Sequence, residues 1–152
     1  MIQGWVRHCY NEYRAKGYNA ETALHAARIK DRFTDLENEG LVRLHAEPEC
    51  DVYDDSYIDT WDHLSEEGKK RAKKELWDQI EREGCWIWIG QWRANDEAEW
   101  EYADNIGGII GDALCGYEID LMQSAIEALD AFQQSEADNL AQRATFAAGV
   151  SQ

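Results

Sequence analysis

The sequence predicts an α+β fold in which a small antiparallel sheet is packed by four helices. Three observations carry that prediction. The first is Gly84–Gly111, GCWIWIGQWRANDEAEWEYADNIGGIIG, where two runs dense in Trp, Tyr and Ile flank the polar segment 94–98. Aromatic and β-branched residues suit a pleated, half-buried surface, and a short polar gap suits a hairpin loop, so residues 85–105 read as a β-hairpin. The second is a set of stretches with apolar residues at helical spacing, bounded by capping residues and glycines. The third is the short apolar run 41–46, which reads as a further strand. The hairpin offers the largest apolar surface and is expected to form the floor of the core.

Residues 3–16 place Trp5, Cys9 and Tyr13 at i, i+4 and i+8 with Val6 and Tyr10 beside them, an amphipathic helix ending before Gly17. Asn19 can cap a second helix, whose Ala26, Ile29, Phe33 and Leu36 follow 3/4 spacing and which Gly40 stops. The segment 47–62 differs in kind. It holds Glu47, Glu49, Asp51, Asp54, Asp55, Asp59 and Asp62 without a Lys or Arg, and the only proline, Pro48, opens it. Val52, Tyr53, Tyr57, Ile58 and Trp61 are interleaved, so an ordered loop with outward carboxylates is expected.

Ser65 is an N-cap for a helix over 66–83, and Glu66 and Glu67 suit its positive end. This helix is expected to bury Ala72, Leu76, Trp77 and Ile80. Its Lys69, Lys70, Arg71, Lys73 and Lys74 make it the one basic element, with charges expected to pair along the helix or with the acidic loop. After the hairpin, 106–111 either continues the strand through a bulge or bends tightly. Ile119, Met122, Ala125, Ile126, Leu129 and Phe132 then mark a helix over 117–134. Residues 1–135 form a single α+β domain on this reading, and 136–152, rich in Ala, Gln and Ser, a frayed helix or mobile tail.

At 152 residues the chain can bury a core without staples. Its charge is the departure from the ordinary: 31 acidic residues against 15 basic ones, a formal net charge of −16. Such a chain repels nucleic acid and anionic membranes, and its natural complement is a basic surface. No apolar run approaches the roughly 18 residues of a membrane span, and no signal-peptide pattern opens the chain, so a cytoplasmic location is expected. Cys9, Cys50, Cys85 and Cys115 lie far apart with no metal-ligand spacing and read as reduced thiols.

No catalytic signature emerges. His8, His25, His45 and His63 are scattered, and no GxSxG or Cys-His pattern is present. Asp51, Asp54, Asp55 and Asp59 offer oxygen ligands to Ca²⁺ or Mg²⁺, but their spacing does not match a calcium loop. Gly107, Gly108 and Gly111 lack the cation that a phosphate cradle uses. From Ala94 to Gln142 there is no Lys, Arg or His, while twelve carboxylates are present.

The run Glu39-Gly40-Leu41-Val42-Arg43-Leu44 precedes an acidic loop, Trp88-Ile89-Gly90-Gln91-Trp92-Arg93 follows it, and Ala103-Asp104-Asn105 leads into a Gly-rich turn. Together with Gly116-Tyr117 and Ile126-Glu127-Ala128-Leu129, this arrangement resembles small acidic phage-encoded proteins. The resemblance spans roughly residues 22–132 and departs from the pattern between Arg93 and Trp100, where a Cys-rich or Gly-rich turn is usual. It implies a viral or mobile-element protein and assigns no activity to any residue.

The sequence therefore leads to a non-catalytic inhibitor, without a cofactor, that binds a basic nucleic-acid-handling host protein. Nucleic-acid mimicry of the anti-CRISPR or anti-restriction kind is the sharpest form of this expectation. The expected contacts are Asp54, Asp55, Asp59 and Asp62 of the loop and Glu97, Glu99 and Glu101 of the hairpin, with Tyr57 and Trp61 as aromatic anchors. No direct nucleic-acid or membrane binding is expected, and a homodimer is compatible with the pattern. A phage accessory or scaffolding protein with incidental acidity, and a carboxylate-metal enzyme, are the alternatives.

Overall fold

A computed structural model describes residues 4–49, 54–111, 114 and 116–150. The chain order is α1 (Gly4–Ala15), α2 (Ala20–Asn38), β1 (Val42–Pro48), a 3-10 turn (Ser56–Thr60), α3 (Glu66–Glu83), β2 (Cys85–Trp92), β3 (Glu101–Ile110) and α4 (Tyr117–Val150). This is the α+β class read from the sequence, with four helices and one three-stranded antiparallel sheet. The caps act as expected. Asn19 Oδ1 accepts the Thr22 N–H at 2.8 Å, and Ser65 Oγ accepts the Gly68 N–H at 3.1 Å. At Gly40 the chain leaves α2 with φ +77°, a left-handed conformation that glycine adopts without strain.

The sheet order is β1-β2-β3. Val42 pairs with Trp92 at one end and Pro48 with Trp86 at the other, while β2 and β3 run from Cys85↔Ile110 to Trp92↔Glu101. Strand β3 carries two bulges. Trp86 faces Ile109 but Trp88 faces Ile106, and Gly90 faces Asp104 but Gln91 faces Tyr102. The bulge reading of 106–111 is thus the one the fold adopts, and β3 extends to Ile110 instead of ending near 105. Glu49 secures the first bulge. Its carboxylate accepts the Gly108 N–H at 2.7 Å and the Cys85 thiol at 3.4 Å, while its own N–H donates to Cys85 O at 2.9 Å.

One face of the sheet lies against α4. A Cβ built on Gly90 falls 2.7 Å from the Leu121 carbonyl oxygen, so the strand approaches the helix backbone as closely as a glycine allows. Trp92, on the same side, meets the Phe132 ring at 5.2 Å between centroids. The centre of the core is nevertheless helical. Cys9, Ala23, Ala26, Ala27, Ala125 and Leu129 are fully buried where α1, α2 and α4 meet, and Val42 is the strand residue that joins them. Small side chains let these helices pack closely. The hairpin tryptophans are only half-buried, so the hairpin walls this core instead of flooring it.

Three other expectations are corrected. In α1 the buried stripe is Val6, Cys9 and Tyr13, and Trp5 lies outside, 44% exposed and stacked on His8. Helix α3 buries no residue: Ala72, Leu76 and Ile80 are half-buried and Trp77 is exposed. Twelve of its eighteen residues are charged, which leaves too little apolar surface to hold it in a core. Finally, the helix over 117–134 does not stop there, and of the two readings of 136–152, frayed helix or mobile tail, the helical one is adopted. The helix continues to Val150 as α4, and residues 133–149 are exposed all round.

Candidate interaction surface

The two groups of predicted contact residues lie in different surroundings. In the loop, Asp54 accepts the Ser56 N–H at 2.9 Å, and hydrogen bonding from Ser56 holds its carboxyl below the usual aspartate value. Asp55 accepts the Trp77 indole N–H at 2.9 Å and has the Lys73 ammonium at 4.0 Å. Asp59 pairs with Lys73 at 2.8 Å and accepts Lys69 Nζ on its backbone carbonyl at 3.1 Å. The hydrogen bond to Asp59 pushes the Lys73 ammonium above the ordinary lysine value. Tyr57 packs edge-on against Trp61, which in turn stacks on His63. Asp62 is exposed and has no partner among the described residues. The pairing of α3 with the acidic loop thus leaves only part of the loop's charge free. Asp51, Val52, Tyr53 and Cys50 lie outside the described residues, as does Cys115.

The hairpin presents the opposite situation. Asn95 closes the turn, its Oδ1 accepting the Glu97 N–H at 3.0 Å and its carbonyl the Ala98 N–H at 3.2 Å. This loop sits against the end of α2, where Asp96 Cβ lies within 3.9 Å of a Cβ built on Gly40 and the Arg93 N–H donates to Leu41 O at 2.9 Å. Glu37 and Glu39 close that helix with no basic residue in its last turn. Six exposed carboxylates, Glu37, Glu39, Asp96, Glu97, Glu99 and Glu101, therefore share one end of the sheet. None of the six has an ion pair among the described residues.

Two cations stand nearby, and both are committed elsewhere. The Arg43 and Arg93 guanidiniums lie over the Trp100 ring at 4.3 and 4.2 Å from its centroid. Arg43 Nε also donates to Gln91 Oε1 at 2.7 Å, and Arg93 Nε to Gly40 O at 2.6 Å. Carboxylates at the negative end of a helix dipole are unfavourable by roughly 0.3–1 kcal/mol each. Sequence reasoning had singled out Glu97, Glu99 and Glu101 but missed Glu37 and Glu39. The available signal was a helix C-terminus ending in acids directly before a glycine stop.

Among the described residues no group of three or more His, Cys, Asp or Glu is arranged to hold a metal ion. The Gly108 N–H is already taken by the Glu49 carboxylate, which suits a structural glycine. Cys9 and Cys85 are free thiols raised above the ordinary value, Cys9 by burial, Cys85 by burial and the adjacent Glu49. No helix of the described residues is long and apolar enough to cross a membrane. In comparisons with known proteins, no family model, curated protein or solved structure matches the chain.

Proposed function

We propose that this chain is an acidic, non-catalytic inhibitor, encoded by a phage, that binds a basic nucleic-acid-handling protein of the host. Its acids occupy a surface built for a phosphate backbone, as an anti-CRISPR or anti-restriction protein would. The observation that carries this reading is the end of the sheet where Glu37, Glu39, Asp96, Glu97, Glu99 and Glu101 gather without an ion pair among the described residues, the neighbouring Arg43 and Arg93 lying on Trp100. Such an arrangement lowers stability through repulsion and suits a cationic partner. Asp54 and Asp62 extend the reading to the loop, whereas Asp55 and Asp59 would first have to leave Lys73 and Trp77.

The immobilised protein should capture a basic nucleic-acid-binding protein from host lysate at low salt. Added duplex DNA should release that partner, and retention should fall steeply as salt rises. Capture that neither DNA nor salt reverses would remove the mimicry reading.

A second reading, a phage accessory or scaffolding protein, is favoured by one observation. The outer half of α4 exposes Leu140 (64%) and Phe146 (75%) on a helix that leaves the body unpartnered. Concentration-dependent self-association that Leu140→Glu abolishes would support it.

A further inference from the structure

The N-terminal ends of α2 and α4 enclose a cleft of about 420 Å³ that the acidic end of the sheet does not share. That volume lies within the range of small-molecule sites. Its floor is apolar, formed by Ala26 and Ile119, which are buried. Tyr18 and Tyr117 add aromatic surface to the lining, together with the exposed side chains of Asp120 and His25. The Tyr18 wall is set by a glycine: Gly116 has φ +95°, and a Cβ there would collide with the Tyr18 hydroxyl. Among the described residues neither Asp120 nor His25 has a hydrogen bond or ion pair, so both are available to a ligand.

The lining selects the charge of that ligand. Among the described residues no Lys or Arg lines the cleft, and Asp120, in the first turn of α4, sets a carboxylate against the positive ends of the two helices. A net charge of −16 concentrates cations around the whole molecule, and a cleft with a carboxylate focuses that field. Aromatic walls attract an ammonium group through their ring faces and accept an apolar body on the same surface. We infer that this cleft binds a small organic cation, a primary ammonium carried on an aromatic body. Its nitrogen would lie on Asp120 and its ring against Tyr117 and Tyr18 over the Ala26–Ile119 floor. This site is independent of the inhibitor reading and stands or falls without it.

The probe is 2-phenylethylamine, titrated into the full chain at pH 8 with amide chemical shifts followed by NMR. A dissociation constant on the order of 0.1–1 mM is expected for a ligand of this size, with shifts centred on Thr22, His25 and Gln123. Asp120→Asn should weaken binding about tenfold, and because it also removes a carboxylate from the first turn of α4 a small fall in melting temperature is expected with it. Tyr117→Ala should weaken it as well. The neutral isostere 2-phenylethanol should bind about tenfold more weakly, and 3-phenylpropionate should not bind. Equal affinity for Asp120→Asn and the parent, equal affinity for the anion, or shifts confined to residues 96–101 would overturn the assignment.

Discussion

Replacing Trp100 with Ala tests how the carboxylates at the acidic end of the sheet are kept free of ion pairs. The ring is half-buried between the guanidiniums of Arg43 and Arg93, at 4.3 and 4.2 Å from its centroid. Each such contact at a partly exposed site contributes roughly 0.5–1 kcal/mol. Truncating a fully buried Trp costs about 3–5 kcal/mol with its contacts included, so a half-buried ring should cost about 2–3 kcal/mol. Urea unfolding measures that loss. A double-mutant cycle of Trp100→Ala with Arg93→Ala isolates the pair and should return a coupling of about 0.5–1 kcal/mol. Trp100→Ala also removes the ring on which both guanidiniums lie, leaving them only their Nε bonds to Gln91 and Gly40 and freer to turn toward the neighbouring carboxylates. Affinity for the captured partner should then fall by roughly 5- to 30-fold, equivalent to about 1–2 kcal/mol. A stability loss under about 0.5 kcal/mol, or a cycle that closes to zero, would refute the sandwich as a determinant of this surface.

Four further outcomes follow from the structure. Gly90→Ala should destabilise by about 1–3 kcal/mol or more in urea unfolding, because the new methyl meets the Leu121 backbone at 2.7 Å and only movement of α4 relieves it. Gly68→Ala, where the methyl finds ordinary contact distances inside α3, should be neutral or stabilising by up to about 1 kcal/mol. Lys73→Met should leave global unfolding unchanged but speed amide exchange across Ser56–Thr60, since Lys73 ties that turn to α3. Burial, followed by the nearby Glu118 charge, raises the Tyr13 phenol well above its ordinary value of 10.0. A raised folded-state value means stability that is complete below pH 10 and lost as pH rises beyond it. The urea midpoint should fall above pH 10, and Tyr13→Phe should flatten that fall.

Much of the fold was legible because its signals are local. Asn19 and Ser65 cap their helices through their own side chains, and Gly40 stops α2 with a backbone conformation that needs no tertiary context. The hairpin followed from aromatic density around a polar turn. What sequence periodicity did not determine was which apolar stripe would find a partner. Ala72, Leu76 and Ile80 repeat at helical spacing, yet α3 is too charged to enter the core. The shift from Trp5 to Val6 in α1 reflects the same contest, since a compact core of alanines leaves a Val more room than a Trp. For the outer half of α4 the sequence left helix and mobile tail open, because that half has no apolar periodicity, only residues that favour helix such as Ala, Gln and Leu.

The site was legible in its charge and illegible in its neighbours. The count of carboxylates in 94–142 pointed to the hairpin, but Glu37 and Glu39 join it only through the approach of Gly40 to Asp96. The loop acids looked equivalent in sequence. Lys73 and Trp77 claim Asp55 and Asp59, because α3 folds back onto the turn and brings Trp77, 22 residues beyond Asp55, against it. Pairing of α3 with the acidic loop was one of the two expectations for its lysines, but which carboxylates it takes depends on how the helix folds back.

The most direct test pairs two measurements on one variant, Glu97→Gln/Glu99→Gln/Glu101→Gln. If these carboxylates are retained for a basic partner, unfolding stability should stay level or rise as their mutual repulsion is removed, while affinity for the captured partner falls at least tenfold at low salt. Unchanged affinity at low salt would show that the partner does not read this end of the sheet, and a loss of stability would show that the carboxylates serve the fold.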